Sequence, residues 1–570
     1  MFEAMKRRIP QNSALSRRLA VVAWLGVMAL AACSPEEREF EPTGSGGTGG
    51  AGGTGGSGGG MVCTPDEQRS CYNGPPGTEE MGTCKPGVEV CLPNGTGFGE
   101  CGGAVLPQPE DCMTPEDEAC NGVDPLECPA LGIGWLKTYG EQSSAQMITD
   151  IAIAPDGNIV IAGAFGGTID LGDGPLASTG SLDILLAKLT PKGEVVWAKR
   201  FGDAALQQAN AVAVDKDGAI YVGGRVLGAV NFGNGVLTSA GTGDAFLAKF
   251  DADGGPVWSK LFGDTASQEV RAIAVTKANQ VIIAGNFAGT IALGGAQLTS
   301  AGGNDIFLAK FDETGFHAAS RRIGGQGADE FRAIALNASD QVFITGVFGT
   351  TLELIAGNVL TSKGGLDVFA AQLSPTFAAI WANAWGDATT QQAFDVAIAS
   401  NGDVFLTGAF EGKLDFFGQG IQTDGIGTRS LYVARIAGTG DSAVWAKAIG
   451  DTTAFVTQAS LTVGTADQPT LAGTFQGGMD FGGGPLMAAD AGDVFFAKLG
   501  SDGTHVASRV LLSGGAKDND AANTVLALAL LPAGDLIVGG QSHAPFLVNK
   551  ALVGSFDGKD GDAFLGRFLP

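Results

Sequence analysis

Histidine is scarce in this chain, with three in 570 residues: His317, His505 and His543. A Ser-His-Asp triad or a histidine-rich metal centre is hard to build from this supply. We therefore assign no catalytic residue and no metal ligand from the sequence. Paired carboxylates for glycoside cleavage stay open, because the chain has 60 acidic residues and sequence does not show their distances in space.

Charged residues are few, and basic residues are fewer than acidic ones. Charged residues make up 16% of the chain, and 34 Lys and Arg against 60 Asp and Glu give a net charge of −26. Nucleic-acid binding needs a basic footprint, so we predict no nucleic-acid partner. Low charge with 44% hydrophobic residues fits β-sheets that are buried on both faces.

The N-terminal apolar run, residues 19–32, is 14 residues long, whereas a membrane-spanning helix needs about 20. It follows Lys6, Arg7 and Arg8, which is the layout of a signal peptide. The run ends in Leu-Ala-Ala-Cys33 and resembles the lipobox of bacterial lipoproteins. That resemblance implies a signal peptide over residues 1–32, lipid attachment at Cys33 and, because Ser34 follows, sorting to the outer membrane, on its periplasmic side or at the cell surface. An ordinary signal peptide with a chance cysteine is the alternative.

Residues 33–62 contain almost only Gly, Ser and Thr between positions 43 and 60. Such a composition cannot bury apolar surface, so we predict a flexible tether.

Cysteine is absent after residue 128, and eight of the nine cysteines lie close together. They are Cys63, Cys71, Cys84, Cys91, Cys101, Cys112, Cys120 and Cys128. An even number in an exported chain predicts a disulfide module over residues 63–129, with its pairing open. Zinc is the alternative, although the spacings are wider than in zinc knuckles. The stretches CYNGPPGTEEMGTC and PEDCMTPEDEACNGVD resemble Cys-rich modules of myxobacterial surface proteins. The acidic run that looks suited to calcium in those modules is degraded here.

Seven glycines recur at intervals of 61 to 67 residues, each after a short apolar strand. They are Gly163, Gly224, Gly285, Gly346, Gly408, Gly473 and Gly540. Upstream of each lies a turn residue, and before it a small residue between aliphatic neighbours, as in Ile151-Ala152-Ile153. This period of two indicates strands. A second block follows, such as Asp244-Ala-Phe-Leu-Ala-Lys249, and then a fourth strand that ends in an aromatic-rich stretch, as in Val196-Trp197-Ala-Lys-Arg-Phe201.

Four strands in each of seven repeats predict an all-β, seven-bladed β-propeller over residues 134–570. The fourth strand is missing after the last repeat, and a copy of it stands at residues 135–139. We therefore predict that this N-terminal strand completes the last blade and hides two sheet edges. The pattern G-x-D-x-F-x-A-K, then G-x-x-x-W, resembles the seven-bladed β-propeller repeat family. That resemblance implies a fold and a bacterial surface or secreted setting, but no single activity.

One polar position recurs where the chain enters the first strand of a repeat, and we expect it near one mouth of the central channel. It holds Gln146, Gln207, Gln268, Asp329, Gln391 and Asn523, with Val456 as the exception. The functional interpretation is a binding ring for a sugar or a cation. The structural alternative is that each group satisfies backbone at a strand end.

Three further patterns have structural interpretations. Asp215-Lys-Asp217-Gly218 and its counterpart at Asp251 carry part of a calcium-loop pattern, and turn chemistry is the alternative. Calcium is therefore the only cofactor we consider. The recurring tryptophans, such as Trp197 and Trp258, predict packing between blades. The recurring Lys of the second block is expected at a solvated strand end.

These features predict a lipid-anchored, surface-exposed binding, adhesion or scaffolding protein that is not an enzyme. Its expected partners are the membrane, through the N-terminal lipid, and a glycan or protein ligand at a propeller face. We expect a monomer. The alternative is an exported propeller enzyme, a polysaccharide hydrolase or lyase.

Overall fold

The computed structural model describes residues 62–74, 78, 83–106, 132–140, 144–423, 425, 427–464, 466–488, 492–514, 524–543, 546–548, 551–553 and 561–569. Within these ranges the regular elements are all strands, and none of the described residues forms a helix that could cross a membrane. The described residues divide into two compact units, one with residues 62–67 and Cys91–Phe98, the other with the described residues of Gln68–Val90 and those from Gly99 onwards. Cys33, Cys112, Cys120, Cys128 and Asn523 lie outside the described residues.

Seven four-stranded antiparallel blades form the propeller, which confirms the predicted architecture. The first strands, which line the centre, are Gln146–Ile153, Gln207–Val214, Gln268–Val275, Asp329–Leu336, Gln391–Ile398, Phe455–Val463 and Thr524–Leu530. The second strands are Ile159–Phe165, Ile220–Val226, Val281–Phe287, Val342–Phe348, Val404–Phe410, Pro469–Gln476 and Leu536–Ser542. The third are Asp183–Leu189, Asp244–Phe250, Asp305–Phe311, Asp367–Leu373, Ser430–Ile436, Asp493–Leu499 and Asp562–Phe568. The fourth are Val195–Phe201, Pro256–Phe262, His317–Ile323, Ala379–Trp385, Ala443–Ile449, His505–Gly514 and, for blade 7, Ile133–Tyr139.

Blade 7 is closed by the N-terminal strand. Ile133–Tyr139 pairs antiparallel with Asp562–Phe568, so the sequence prediction of the closure is confirmed. The seam between the last and first blades is packed like the others: Ile161 and Leu185 of blade 1 share a buried cluster with Ile537 and Leu565 of blade 7. Apolar residues on both faces of each sheet pack against the neighbouring blades, and the strands are therefore apolar throughout.

Each blade also carries a small hairpin between its second and third strands, which sequence reasoning missed. The pairs are Thr168–Asp170 with Pro175–Ala177, Ala229–Asn231 with Val236–Thr238, Thr290–Ile291 with Leu298–Thr299, Thr351–Ile355 with Asn358–Thr361, Lys413–Phe416 with Gln419–Gln422, Gly478–Asp480 with Pro485–Met487, and Phe546–Val548 with Ala551–Val553. The last of these adds to the sheet of blade 6, through pairing of Ser513 with Leu547. In blade 2, Asn231 accepts hydrogen bonds from the Gly233 and Gly235 amides, so the G-N-G segment is a turn signal.

Tryptophan and lysine side chains connect neighbouring blades. Trp258 Nε1 donates to the Glu313 carbonyl of the next blade at 3.0 Å, and Trp135 donates in the same way from blade 7 to Pro191 of blade 1. Packing between blades, the predicted role of the tryptophans, is therefore observed. The prediction for the recurring lysine is wrong for Lys188 and Lys310, which are buried. Lys310 donates to the Pro375 carbonyl of the next blade at 2.6 Å. Blade contact, rather than solvent, explains its recurrence.

Two disulfides lie among the described cysteines, Cys63–Cys91 and Cys71–Cys101. Cys84 is disulfide-bonded as well. Oxidised cysteines agree with the disulfide prediction over the zinc alternative for these five residues. Strands Gln68–Cys71 and Gly87–Val90 pair in a short hairpin beside the second of these bonds.

Candidate functional site: the central channel

The ring predicted at the channel mouth is buried in the described blades. Gln146, Gln207, Gln268, Asp329 and Gln391 are fully shielded from solvent. Gln268 Nε2 donates to Asp264 Oδ1 at 2.8 Å and to the Ala288 carbonyl at 3.0 Å, and its Oε1 accepts from the Asp264 amide. These bonds fix the loop that enters the blade, which favours the structural alternative for the ring.

A glycine and an aspartate complete this buried cluster. A Cβ on Gly263 would lie 2.5 Å from Gln268 Oε1 and 2.7 Å from Asp244 Oδ1. Asp244 in turn accepts a hydrogen bond from the Ala240 amide at 3.0 Å. Close packing against these two polar groups therefore explains Gly263, which follows the fourth strand of blade 2.

The two motifs considered for calcium are turns in the structure. Asp251 Oδ1 accepts hydrogen bonds from the Asp253 and Gly255 amides at 3.0 and 2.6 Å. Asp215 does the same for Asp217 and Ala219. No group of three or more His, Cys, Asp or Glu side chains suited to a metal occurs among the described residues. Turn formation accounts for both motifs.

A cavity of about 570 Å³ lies in the central channel and is lined by the first strands. That volume is within the usual range for small-molecule sites. Each first strand contains a β-bulge; in blade 1, Ile148 pairs with Gly163 and Asp150 with Ala162, leaving Thr149 as the extra residue. The bulge turns residues at this point of the strand towards the channel. The lining therefore comes from residues one to five positions after the predicted ring, not from the ring itself.

The lining differs from blade to blade. Blades 1, 2, 5 and 6 contribute hydroxyl and amide groups, whereas blade 7 contributes Leu526, Ala527 and Leu528. The polar contributors are Thr149, Gln208, Asn210, Gln392, Gln458 and Ser460. In the sequence, one signal for this site is visible: the residue type at the third position after the ring differs from repeat to repeat.

Two aspartates, Asp150 in blade 1 and Asp395 in blade 5, line the cavity where most other blades have alanine. Each carboxylate joins its blade to the next: Asp150 Oδ2 accepts from the Val212 amide and Asp395 Oδ2 from the Leu461 amide, both at 2.8 Å. Burial raises the pKa of each carboxyl to about 7, against the lowering effect of these backbone donors. The Asp395 charge raises the pKa of Asp150 further.

These shifts predict that the propeller loses stability as pH rises from about 4 to about 7. In this window the folded carboxyls hold protons that the unfolded chain, with an ordinary pKa of 3.8, has released. The free energy of unfolding must then fall as pH rises, and level off above the folded pKa. We expect a loss of ~3 kcal/mol for the pair, less than the full shift implies because both residues are only partly buried. Urea unfolding between pH 4.5 and 8 measures it.

The matched variants are Asp150→Asn with Asp395→Asn, and the exposed Asp253→Asn as control. The double variant should lose a large part of the pH slope and keep the part due to Asp329, because burial raises the pKa of Asp329 to about 6. The control should keep the full slope. Equal slopes in all three chains would contradict the assignment.

Two arginines on neighbouring blades, Arg271 and Arg332, line another sector of the cavity. Arg271 Nε pairs with Glu269 at 2.7 Å and an Arg332 amino group with Glu330 at 2.6 Å. Burial lowers the pKa of Arg332, and the positive charge of Arg271 lowers it further. The cavity therefore combines two guanidinium groups, two aspartates, several amides and one apolar wall.

The histidines take no part in this cavity. His317 and His505 begin the fourth strands of blades 3 and 6. His505 Nε2 lies 3.0 Å from Ser508 Oγ, and the His317 ring packs edge-on against Phe311.

The known proteins that match this sequence are similar to it over only part of their own length. No family model matches the chain. Regulatory protein FlaEY of Caulobacter vibrioides is 26% identical over 397 residues, which cover 63% of this chain and 40% of FlaEY. An uncharacterized WD repeat-containing protein of Acanthamoeba polyphaga mimivirus is 29% identical over 157 residues, covering 24% of this chain and 11% of that protein. The chain thus spans less than half the length of these relatives.

Among solved structures, the WD40 domain of Neurospora crassa Pan2 superposes with a TM-score of 0.38 at 11% identity, covering 75% of this chain and 95% of Pan2's. A chain of the mitotic checkpoint complex gives a TM-score of 0.40 at 10% identity, covering 78% and 93%. The seven four-stranded blades are defined by the strand pairing of the chain itself.

Proposed function

We propose that the protein is a lipid-anchored binding protein of the bacterial outer membrane, which takes a small polar ligand into its central channel. The observation that carries the binding role is the cavity of about 570 Å³ with a lining that differs between blades. If the lining had only a structural role, similar residues would be expected in every blade. Charged and amide groups converge here beside an apolar wall, which is the usual make-up of a ligand site.

The anchor rests on the lipobox resemblance around Cys33 and on the Gly-rich residues that follow it. Cys33→Ala removes the thiol that would carry the lipid. We expect the wild-type chain in the outer-membrane fraction and the variant in the soluble fraction, because acyl chains supply the membrane affinity. Fractionation with immunoblotting measures this, and Cys33→Ala remaining in the membrane would contradict it.

The binding role is tested with the full-length, detergent-extracted protein on a glycan and metabolite array. Variants of the cavity lining should lose the signal, and variants of the outer strands should keep it. A signal that survives every change in the lining would place the ligand elsewhere and refute a channel site.

A second candidate function, cleavage of polysaccharide, is favoured by Asp150 and Asp395. They are carboxyls in one cavity with pKa values of about 7, so one can hold a proton while the other is ionised. Release of reducing sugar from a polysaccharide panel tests this role. Turnover that disappears in Asp150→Asn and Asp395→Asn would establish an enzyme in place of a binding protein.

A further inference from the structure

Arg271 and Arg332 occupy equivalent places in blades 3 and 4, each as the extra residue of the β-bulge. The same place holds Thr149, Asn210 and Phe394 in blades 1, 2 and 5. Because adjacent blades put these two side chains side by side, the cavity contains a pair of like charges. Glu269 and Glu330 offset part of the repulsion between these charges, and an anion between the two guanidinium groups would offset it further.

The glutamates of the same strands do not use up the donors of the two arginines. Glu269 accepts from Nε of Arg271, and Glu330 from one terminal nitrogen of Arg332. Nε of Arg332 is buried and has no hydrogen-bond acceptor among the described residues. A guanidinium has five N–H donors in a planar fork, so both side chains keep donors for a planar, two-oxygen anion.

The rest of the lining selects the body of such a ligand. Gln208, Asn210, Gln392 and Gln458 offer amides that donate to and accept from hydroxyl groups. Asp150 and Asp395 accept hydrogen bonds and repel a second negative charge, which disfavours a phosphate dianion. Leu526 and Leu528 of blade 7 give an apolar surface.

Resting on the proposed channel-binding function, we propose that the ligand is a sugar acid whose carboxylate lies between Arg271 and Arg332. Its hydroxyl groups bond the amides of blades 2, 5 and 6, and an apolar face of its ring packs on blade 7. The cavity of about 570 Å³ takes one or two sugar units.

Calorimetric titration of the full-length protein tests this with D-galacturonate and D-glucuronate as probes, against D-galactose, D-glucose and inorganic phosphate. We expect at least one uronate to bind ten times or more tightly than its neutral hexose and than phosphate. Arg332→Gln and, separately, Arg271→Gln should each weaken that binding at least tenfold. Lys199→Gln removes the same charge from an outer strand, where Lys199 lies over Trp197, and should leave the affinity unchanged. Circular dichroism selects the folded variants for comparison.

Equal affinity for uronate and hexose would overturn the carboxylate site while leaving a channel-binding protein. Tighter binding of phosphate would overturn the sugar acid. Binding of none of these probes would also overturn it, and the array would then decide the proposed function independently.

Discussion

Deletion of residues 135–139 is expected to abolish cooperative folding of the propeller and to make the chain aggregate. The segment supplies most of the fourth strand of blade 7 and every ladder bond to Asp562–Phe568 beyond Ile133. It also supplies two contacts to blade 1, from Trp135 Nε1 to the Pro191 carbonyl at 3.0 Å and from Lys137 Nζ to the Gly193 carbonyl at 2.6 Å. Its loss exposes an unpaired strand edge and opens a buried seam at the same time. Thermal unfolding and size-exclusion chromatography measure the outcome.

The control is a deletion of the same length at residues 44–48, in the Gly-rich segment, which should leave the unfolding transition unchanged. A synthetic peptide of residues 132–140 should restore part of the transition when added to the truncated chain, since the edge it pairs with is still present. A truncated chain as stable and soluble as the full chain would refute closure by this strand.

The repeat pattern predicted the blades because two periodicities coincide in it. Alternation with a period of two identifies strands such as Ile159–Phe165, and the step of 61 to 67 residues identifies the blade. The last repeat lacks its fourth strand, and a copy of that strand stands at residues 135–139. The sequence therefore predicted that the N-terminal strand completes blade 7. The hairpins between second and third strands were overlooked because strands of two to five residues, such as Thr290–Ile291, are too short to show a period.

The channel lining could not be predicted in the same way, because it depends on a register shift. A β-bulge moves the strand by one residue, so a side chain expected on one face is turned to another. In blade 4 the shift falls between Phe331 and Ala333, and Arg332 is the residue it turns. The alternation in the sequence continues through a β-bulge, so the sequence does not reveal where the bulge lies. The described polar residues of the ring, which have no such shift before them, begin their first strands and are buried.

Gly285→Ala is expected to destabilise the protein by ~3 kcal/mol or more, the upper range for overpacking in a core. Gly285 is one of the seven repeat glycines and pairs with Val270, just before the β-bulge of blade 3. The bulge brings the Glu269 carbonyl oxygen against Gly285, so a Cβ there would overlap that oxygen far inside van der Waals distance. A backbone group cannot turn aside as a side chain can. The same close approach recurs at all seven glycines, which explains why this position defines the repeat.

Gly420→Ala is the matched control, because a Cβ there meets no atom within 4 Å and Gly420 does not have a positive φ. It should be neutral or slightly stabilising, since Ala restricts the unfolded chain. Guanidinium unfolding of the two variants beside the wild type gives the difference. If Gly285→Ala also relaxed the bulge, the Arg271 side chain that follows it would move, and uronate binding would weaken in a protein that still folds. Two variants of equal stability would mean that the bulge yields at little cost, and the steric explanation of the repeat glycine would then be wrong.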